Sequence, residues 1–472
     1  MGGKKRRQVE KSASEFSWKT LALLMCLGAQ TMIMEIAMPR ILAPTFGNTL
    51  FCWTAIITVV LSALAIGYYW GGRLASRKNA PGIVIFFSAG SAIWVLLLGV
   101  WGQRLTPAFY GLGIKTGPML TAILLAAVPA ILSAAVLPMV VERRRTQAGL
   151  AAGECYAWST IGSVAGVLST GYFLLPQLGI KGTMMTAAAM VFAALALQGK
   201  TMIPAAGVLL TAAVYFMPAS GYAHAVFDKS NGYHRIFVVE SDPRKNIRSL
   251  FLDNSLEGSV SKDSAFPVLS YQQMIADIAK QVPGPESAFF IGGGAFTMPV
   301  YLKTIFPGMS INAAEIDPDV LSTAVTFLGL KPEFNILIGD GRCLLRDQSE
   351  TYDLIVNDAF KGMKEIPFHL VTQEFHSLVA SKLTAKGLYA VNVIGLPSRS
   401  RFTRSLLYTL SREFDHISIV PNSSGCTENI WILASRSPLH YGRQPLESEM
   451  DRLLFSDDRS PVEFLIARDF TD

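Results

Sequence analysis

Long apolar runs dominate the first part of the chain, at 18–39, 50–72, 82–102, 118–141, 153–177, 182–198 and 201–217, the last two being short. A helix of about 20 mainly apolar residues is what a bilayer's hydrocarbon core requires. Each run therefore predicts a membrane-spanning helix. After about residue 217 the pattern changes to short β-like runs, at 235–239 and 248–252, which predict a small sheet. Past the turn Pro283-Gly284-Pro285, strand-like and helix-like segments alternate. Strands are expected at 287–291, 310–314, 334–338, 352–356 and 388–393, with helices at 296–305, 317–327, 372–383 and 399–411. Such alternation predicts a parallel, doubly wound α/β sheet, in which ligands bind at the carboxyl ends of the strands.

Composition sharpens this division. The chain has 472 residues, 51% hydrophobic and 16% charged, and a mean hydropathy of +0.37. Nearly all the apolar excess precedes residue 217, so two halves face two solvents. The net charge of +6 is densest in Lys4-Lys5-Arg6-Arg7 and Arg143-Arg144-Arg145, which flank apolar runs. Basic residues there orient spans in a bilayer, and no basic run interleaved with aromatics offers a groove for nucleic acid. The first run is too long for a cleavable signal, carries Glu35 and is followed by further spans. The five cysteines include no CxxC pair and have no histidine at metal-ligand spacing, which supports neither a metal site nor a disulfide framework.

Glu35 and Arg40 lie toward the end of the first run. An ionisable group at membrane depth reads as functional by default. A structural Glu-Arg pair beside a turn made by Pro39 and Ala43-Pro44-Thr45-Phe46-Gly47 is the alternative. Ala126, Ala127, Ala130, Gly162, Ala165 and Gly166 suit close helix packing. No helix interruption repeats between two halves as a transporter fold would require.

The soluble half carries polar or glycine signals where four of its predicted strands end. Gly292-Gly293-Gly294 follows the first, letting backbone approach a ligand closely. Glu315-Ile316-Asp317 follows the second, where an acid can accept both ribose hydroxyls. Asp340-Gly341 and Asn357-Asp358 follow the third and fourth. A dinucleotide loop would need a third glycine, but Ala295, Phe296 and Thr297 follow Gly294. A ligand without a pyrophosphate, adenosyl-sulfonium or methylthioadenosine-like, fits better than NAD.

On Phe290-Ile291-Gly292-Gly293-Gly294, Glu315-Ile316-Asp317, Gly339-Asp340-Gly341 and Tyr352 to Asp358, residues 230–435 resemble the spermidine synthase family of aminopropyltransferases. Leu252-Asp253-Asn254 and Tyr271-Gln272-Gln273-Met274 resemble that family's small N-terminal sheet and the helix after it. The apolar half, with Pro39-Arg40, Phe46-Gly47 and the later Ile366 to Leu370, resembles membrane-fused members. The resemblance implies a multi-span α-helical membrane domain joined to a Rossmann-like, methyltransferase-type domain with a small N-terminal β-sheet. Its parts would be a basic tail (1–17), a membrane domain of about seven helices (18–217), a β-rich part (226–285), an adenosyl-cofactor domain (286–440) and a C-terminal extension (441–472).

By the same resemblance Gly292, Gly293, Gly294, Glu315, Ile316, Asp340 and Gly341 would bind S-adenosylmethionine, its decarboxylated form or methylthioadenosine, without metal. Glu315 would take the ribose, Asp340 and Gly341 the adenine, and Asp358 would be the catalytic acid-base residue. A carboxylate beside the reactive carbon can take or steer the proton of an attacking amine. The sequence departs from the family at Ala295 and Lys361, where acids are usual, at Gln272-Gln273 in place of His-Glu, and at Glu257 in place of Gln. A diamine needs carboxylates to offset the desolvation of its ammonium groups, so the acceptor is expected to differ from putrescine. A non-catalytic ligand-sensing or assembly domain is the rival reading. The expected partners are the lipid bilayer and an adenosyl small molecule, with a homodimer admitted through the synthase-like domain. Localisation is expected in the inner (plasma) membrane. Seven spans would put the soluble half outside while an adenosyl cofactor is held in the cytosol, so its side is left open. Asp317 serves equally as a helix N-cap or a cofactor ligand, Asp353 as a packing group, and His369 and His376 as packing or surface residues.

Overall fold

The computed structural model describes residues 17–143, 148–199, 202–216, 225–231, 233–242, 246–253, 255–359, 366–422 and 429–469. The basic N-terminus, Arg144 and Arg145, residues 217–224, Asn254, Phe360, Lys361 and Cys426 lie outside these. The chain forms two compact units that divide near Gly221.

The first unit is helical: α1 (Trp18–Phe46), α2 (Leu50–Leu74), α3 (Ala80–Leu105), α4 (Gly113–Ala122), α5 (Val128–Val141), α6 (Ala148–Ser169), α7 (Leu175–Leu197) and α8 (Met202–Phe216). Four stretches among the described residues are long and apolar enough to cross a membrane: Trp18–Phe46, Leu50–Leu74, Ala80–Val141 and Gly149–Leu197. Single π-helical turns, Ile123–Ala127 and Thr170–Leu174, join α4 to α5 and α6 to α7. The predicted spans at 153–177 and 182–198 therefore run as one helical stretch, bent at Gly179, where φ is +62°. Pro39 and Pro44 do not end α1 as the sequence suggested. The helix continues to Phe46, and Gly47 with φ +75° stops it, so half-buried Glu35 lies well inside the helix.

Small residues set the spacing within this unit. A Cβ on Gly162 would run into the Met25 carbonyl of α1, and one on Gly28 into the Ser159 carbonyl of α6. Gly67 and Gly71 of α2 meet Ala134 and Ala135 of α5 in the same way. The opposite face of α6 exposes Tyr156, Ile161, Val164 and Leu168. We predict that Gly162→Leu destabilises the purified protein by about 3 kcal/mol through overpacking. Thermal unfolding would show it.

The second unit opens with a four-stranded antiparallel meander, β1 (Ala225–Ser230), β2 (Arg235–Asp242), β3 (Ile247–Leu252) and β4 (Ser255–Ser261). Short helices α9 (Ser270–Gln273) and α10 (Ile275–Ala279) lead into β5 (Ser287–Ile291), α11 (Thr297–Ile305), β6 (Ser310–Glu315), α12 (Pro318–Phe327), β7 (Asn335–Ile338), α13 (Gly341–Asp347) and β8 (Tyr352–Asn357). Next come α14 (Gln373–Lys382), β9 (Leu383–Ile394), α15 (Arg401–Leu410), β10 (His416–Pro421), β11 (Asn429–Ser435) and α16 (Val462–Asp469). The seven-stranded sheet has the order β10-β11-β9-β8-β5-β6-β7. Strands β5 to β9 pair in parallel, whereas β10 and β11 are antiparallel. The expectation of a parallel sheet is corrected by that antiparallel edge. After β9 the chain returns through α15 to the outer strand β10 and turns back into β11.

The sheet core follows from burial on both faces: Ala288, Phe290, Leu354, Val356 and Leu388 are buried on one side, and Phe289, Ile291 and Ile355 on the other. Asp353 is a packing group at the opposite strand ends, where it accepts from the Glu286 and Ser287 amides (3.0 and 3.1 Å) and from the Thr384 hydroxyl (2.9 Å).

Candidate adenosyl-ligand site

Hydrogen bonding between strands continues one residue past the strand ends. Gly292 N donates to Ala314 O (3.0 Å), Gly339 N to Glu315 O (2.9 Å) and Asp358 N to Ile291 O (2.9 Å). Parallel register therefore brings the glycine turn, Glu315, the Gly339-Asp340 step and Asp358 to one edge of the sheet. All the residues proposed from sequence lie along this edge.

The glycine turn is shaped by contact as well as conformation. Gly292 has φ +97°, and a Cβ there would lie 2.7 Å from the Asp358 carbonyl. The turn thus packs directly on the chain leaving β8, and only glycine satisfies both demands. Phe296 closes the turn, its N–H donating to Gly293 O (2.7 Å). It adopts φ +54°, rare for a non-glycine residue, with its ring fully buried beneath Gly293.

Glu315 is buried and ties the edge together. One carboxyl oxygen accepts from the Gly293 and Gly294 amides (3.0 and 3.3 Å), and the other from the Asp317 amide (2.9 Å). Burial raises its pKa, with the Asp317 and Gly293 amides opposing the shift. Glu315 therefore orders the glycine turn, a role its place in the sequence did not suggest, in addition to any it has toward a ribose. Asp317 is the N-cap of α12, accepting from the Asp319 amide (2.9 Å), the first of its two sequence readings.

Ile316, next in the chain, is 44% exposed, and Ile338 at the end of β7 is 46% exposed. They offer uncovered apolar surface beside Asp340. Asp340 caps α13 through the Cys343 amide (2.9 Å), and its second oxygen meets His369 Nε2 at 2.9 Å. Burial would raise the Asp340 pKa, but the Cys343 amide and His369 outweigh it and the carboxyl is held below its ordinary value. Gly341 packs on Ile291, where a Cβ would lie 2.5 Å from the Ile291 side chain.

Asp358 is partly buried where β8 ends, and burial pushes its pKa up to about 7, against the lowering effect of a hydrogen bond from Asn392 Nδ2 (2.7 Å). Asn392 in β9 in turn accepts from Asn429 Nδ2 of β11 (3.2 Å). Tyr271 lies near enough that the Asp358 charge, after burial, helps raise the phenol well above its ordinary pKa. Gln272 is buried and fully engaged: it donates to Tyr271 Oη (3.0 Å) and accepts from the Thr297 hydroxyl (2.8 Å). Gln273 caps carbonyls of the preceding loop, donating to Pro267 O (2.9 Å).

His369 joins the site through Asp340, whereas His376 is a fully buried packing residue whose pKa burial lowers to about 3. Lys361 lies outside the described residues. Sequence reasoning missed Asn392 and Asn429. Their signal was a lone amide interrupting or opening an otherwise apolar strand, Leu388 to Ile394 and Asn429 to Ala434.

No protein-family model matches the chain. Among curated proteins it is similar to the polyamine aminopropyltransferase of Vibrio vulnificus, 29% identical over 148 residues, covering 30% of this chain and 49% of that protein. It is also similar to a probable polyamine aminopropyl transferase of Bifidobacterium longum, 27% identical over 191 residues, covering 39% of this chain and 42% of that protein. The chain thus spans about half or less of the length of these relatives. A solved structure of a probable spermidine synthase from Corynebacterium glutamicum overlaps with a TM-score of 0.41 and 19% identity, covering 47% of this chain and 82% of that one. The sequence is spermidine synthase-like, as its strand-end motifs indicated.

Proposed function

We propose that this chain is a membrane-embedded, spermidine synthase-like transferase that binds an adenosyl sulfonium and uses Asp358 as its acid-base residue. The observation that carries the reading is a carboxyl of pKa about 7 at the end of β8, on backbone that touches the glycine turn. In the reaction a neutral nucleophile attacks a carbon bonded to the sulfonium. The nucleophile–carbon bond forms, the C–S bond breaks, and its electron pair leaves on a neutral thioether. The proton lost by the nucleophile goes to Asp358. S-adenosylmethionine, its decarboxylated form and methylthioadenosine share the adenosyl part that Glu315, Ile316, Asp340 and the glycine turn would hold. Gln273, its amide spent on carbonyls of the preceding loop, stands where the related enzymes have an acid, and favours an acceptor other than putrescine. The bilayer is proposed to surround the helical unit, supported by its apolar stretches and its exposed Trp53, Trp70 and Trp101.

Calorimetric titration of the three adenosyl compounds into detergent-purified protein, with Glu315→Ala as control, tests the site. Tight binding lost in the variant is expected, and no binding of any of the three would shift the reading to a non-catalytic domain. Because Asp358 acts as a base only when ionised, kcat/KM is expected to rise with pH through a midpoint near 7 and level off above it. A flat profile between about pH 6 and 8 would remove Asp358 from that role.

A further inference from the structure

We infer that Asn392, held by Asn429, is a positioning residue for Asp358, fixing the carboxyl so that one oxygen is presented to the nucleophile. This rests on the proposed role of Asp358 and adds the device that aims it. Asn392 Nδ2 lies 2.7 Å from Asp358 Oδ1. Asn429 Nδ2 lies 3.2 Å from Asn392 Oδ1. An ionised carboxylate accepts hydrogen bonds only, so the NH2 end of Asn392 must face it. The Asn429 contact fills the other end and selects that orientation, because a flipped Asn392 would set two donors together and turn its carbonyl toward the carboxylate.

Both amides are almost fully buried, each 6% exposed, in strands whose other residues are mostly apolar. Polar groups so placed persist where their bonds are satisfied. The bond from Asn392 occupies Oδ1 of Asp358, and the backbone N–H of Asp358 is held by Ile291 O (2.9 Å). Two anchors restrain the residue about its side-chain torsions, leaving Oδ2 as the oxygen on which a proton would be received. Among the described residues, the ionisable group that feels the Asp358 charge is Tyr271, whose phenol is also acted on by Glu257 of β4.

The test uses full-length protein in detergent and three variants, Asn392→Leu, Asn392→Asp and Asp358→Asn. Turnover is read against pH, and methylthioadenosine binding is read separately by calorimetry. Loss of a charge-assisted bond predicts that Asn392→Leu lowers kcat on the order of tenfold to hundredfold. The midpoint of its pH profile should move up by about one unit, because the bond stabilises the ionised form. The near-isosteric Asn392→Asp guards against misfolding. It places a second acid beside the first and should raise the midpoint further. Methylthioadenosine binding is expected to stay within about twofold in both Asn392 variants, since neither touches the glycine turn or Glu315. An unchanged kcat and midpoint in folded Asn392→Leu and Asn392→Asp, with Asp358→Asn inactive, would overturn the positioning role and leave the base role intact. Full activity of Asp358→Asn would overturn the base role, and the positioning role with it.

Discussion

Asp358→Asn is expected to lower turnover by roughly 10²–10⁴-fold, the usual contribution of a positioned general base, while making the protein more stable above neutral pH. The two effects share one cause. The carboxyl has a pKa of about 7 in the fold against an ordinary value of 3.8, so folding favours its protonated form. Below about pH 4 the group is protonated in both states and nothing is lost. As pH rises from about 4 to 7, the unfolded chain ionises freely while the folded one resists, and stability falls. Above about 7 the loss is complete, and at 1.36 kcal/mol per unit it reaches at most about 4 kcal/mol. An asparagine carries no charge and can still accept from Asn392, so it removes that loss. Denaturant unfolding at pH 5 and pH 8 would therefore show the variant gaining on the parent as pH rises. A variant that lost activity and stability together at pH 8 would mean that Asp358 supports the fold and not the reaction.

Glu315→Ala should have the larger effect on ligand binding. Its two oxygens accept from the amides of Gly293, Gly294 and Asp317. Removing them leaves three backbone donors on a buried edge without their acceptor, and hydrogen bonds to a charged group are worth about 1.5–3 kcal/mol each. Water entering the vacated space would recover part of this, so a stability loss of about 2–4 kcal/mol is expected. The glycine turn would relax, and adenosyl affinity should fall by at least about 100-fold, by analogy with other losses of a charged buried acceptor. Glu315→Gln keeps one acceptor oxygen but turns an NH2 toward donors, and should fall between the two. Equal binding by all three proteins in calorimetry would show that neither the turn nor the ligand depends on this carboxylate.

Much of the α/β unit was legible because its signals are local. The strand at Ser287–Ile291 and the helices following β5 and β6 come from apolar runs, turn residues and caps that lie within a few positions of one another. Glycines and acids at strand ends could be placed on one edge before any coordinates, because parallel strands joined by crossovers end on the same side. The antiparallel edge of β10 and β11 was not legible. Apolar strands there carry no mark of direction, and their order depends on where α15 and the loops deliver them.

The apolar runs, the alternation that builds the sheet and the strand-end residues Gly292 to Gly294, Glu315, Asp340 and Asp358 were thus determined by the sequence itself, since each depends on neighbours in the chain. Only the tertiary structure decided that α1 passes through Pro39 and Pro44, that Glu315 holds the glycine turn, and that Asn392 and Asn429 stand behind Asp358. Those contacts join residues far apart in the chain, and their geometry exists only once the helices have packed and the strands have paired.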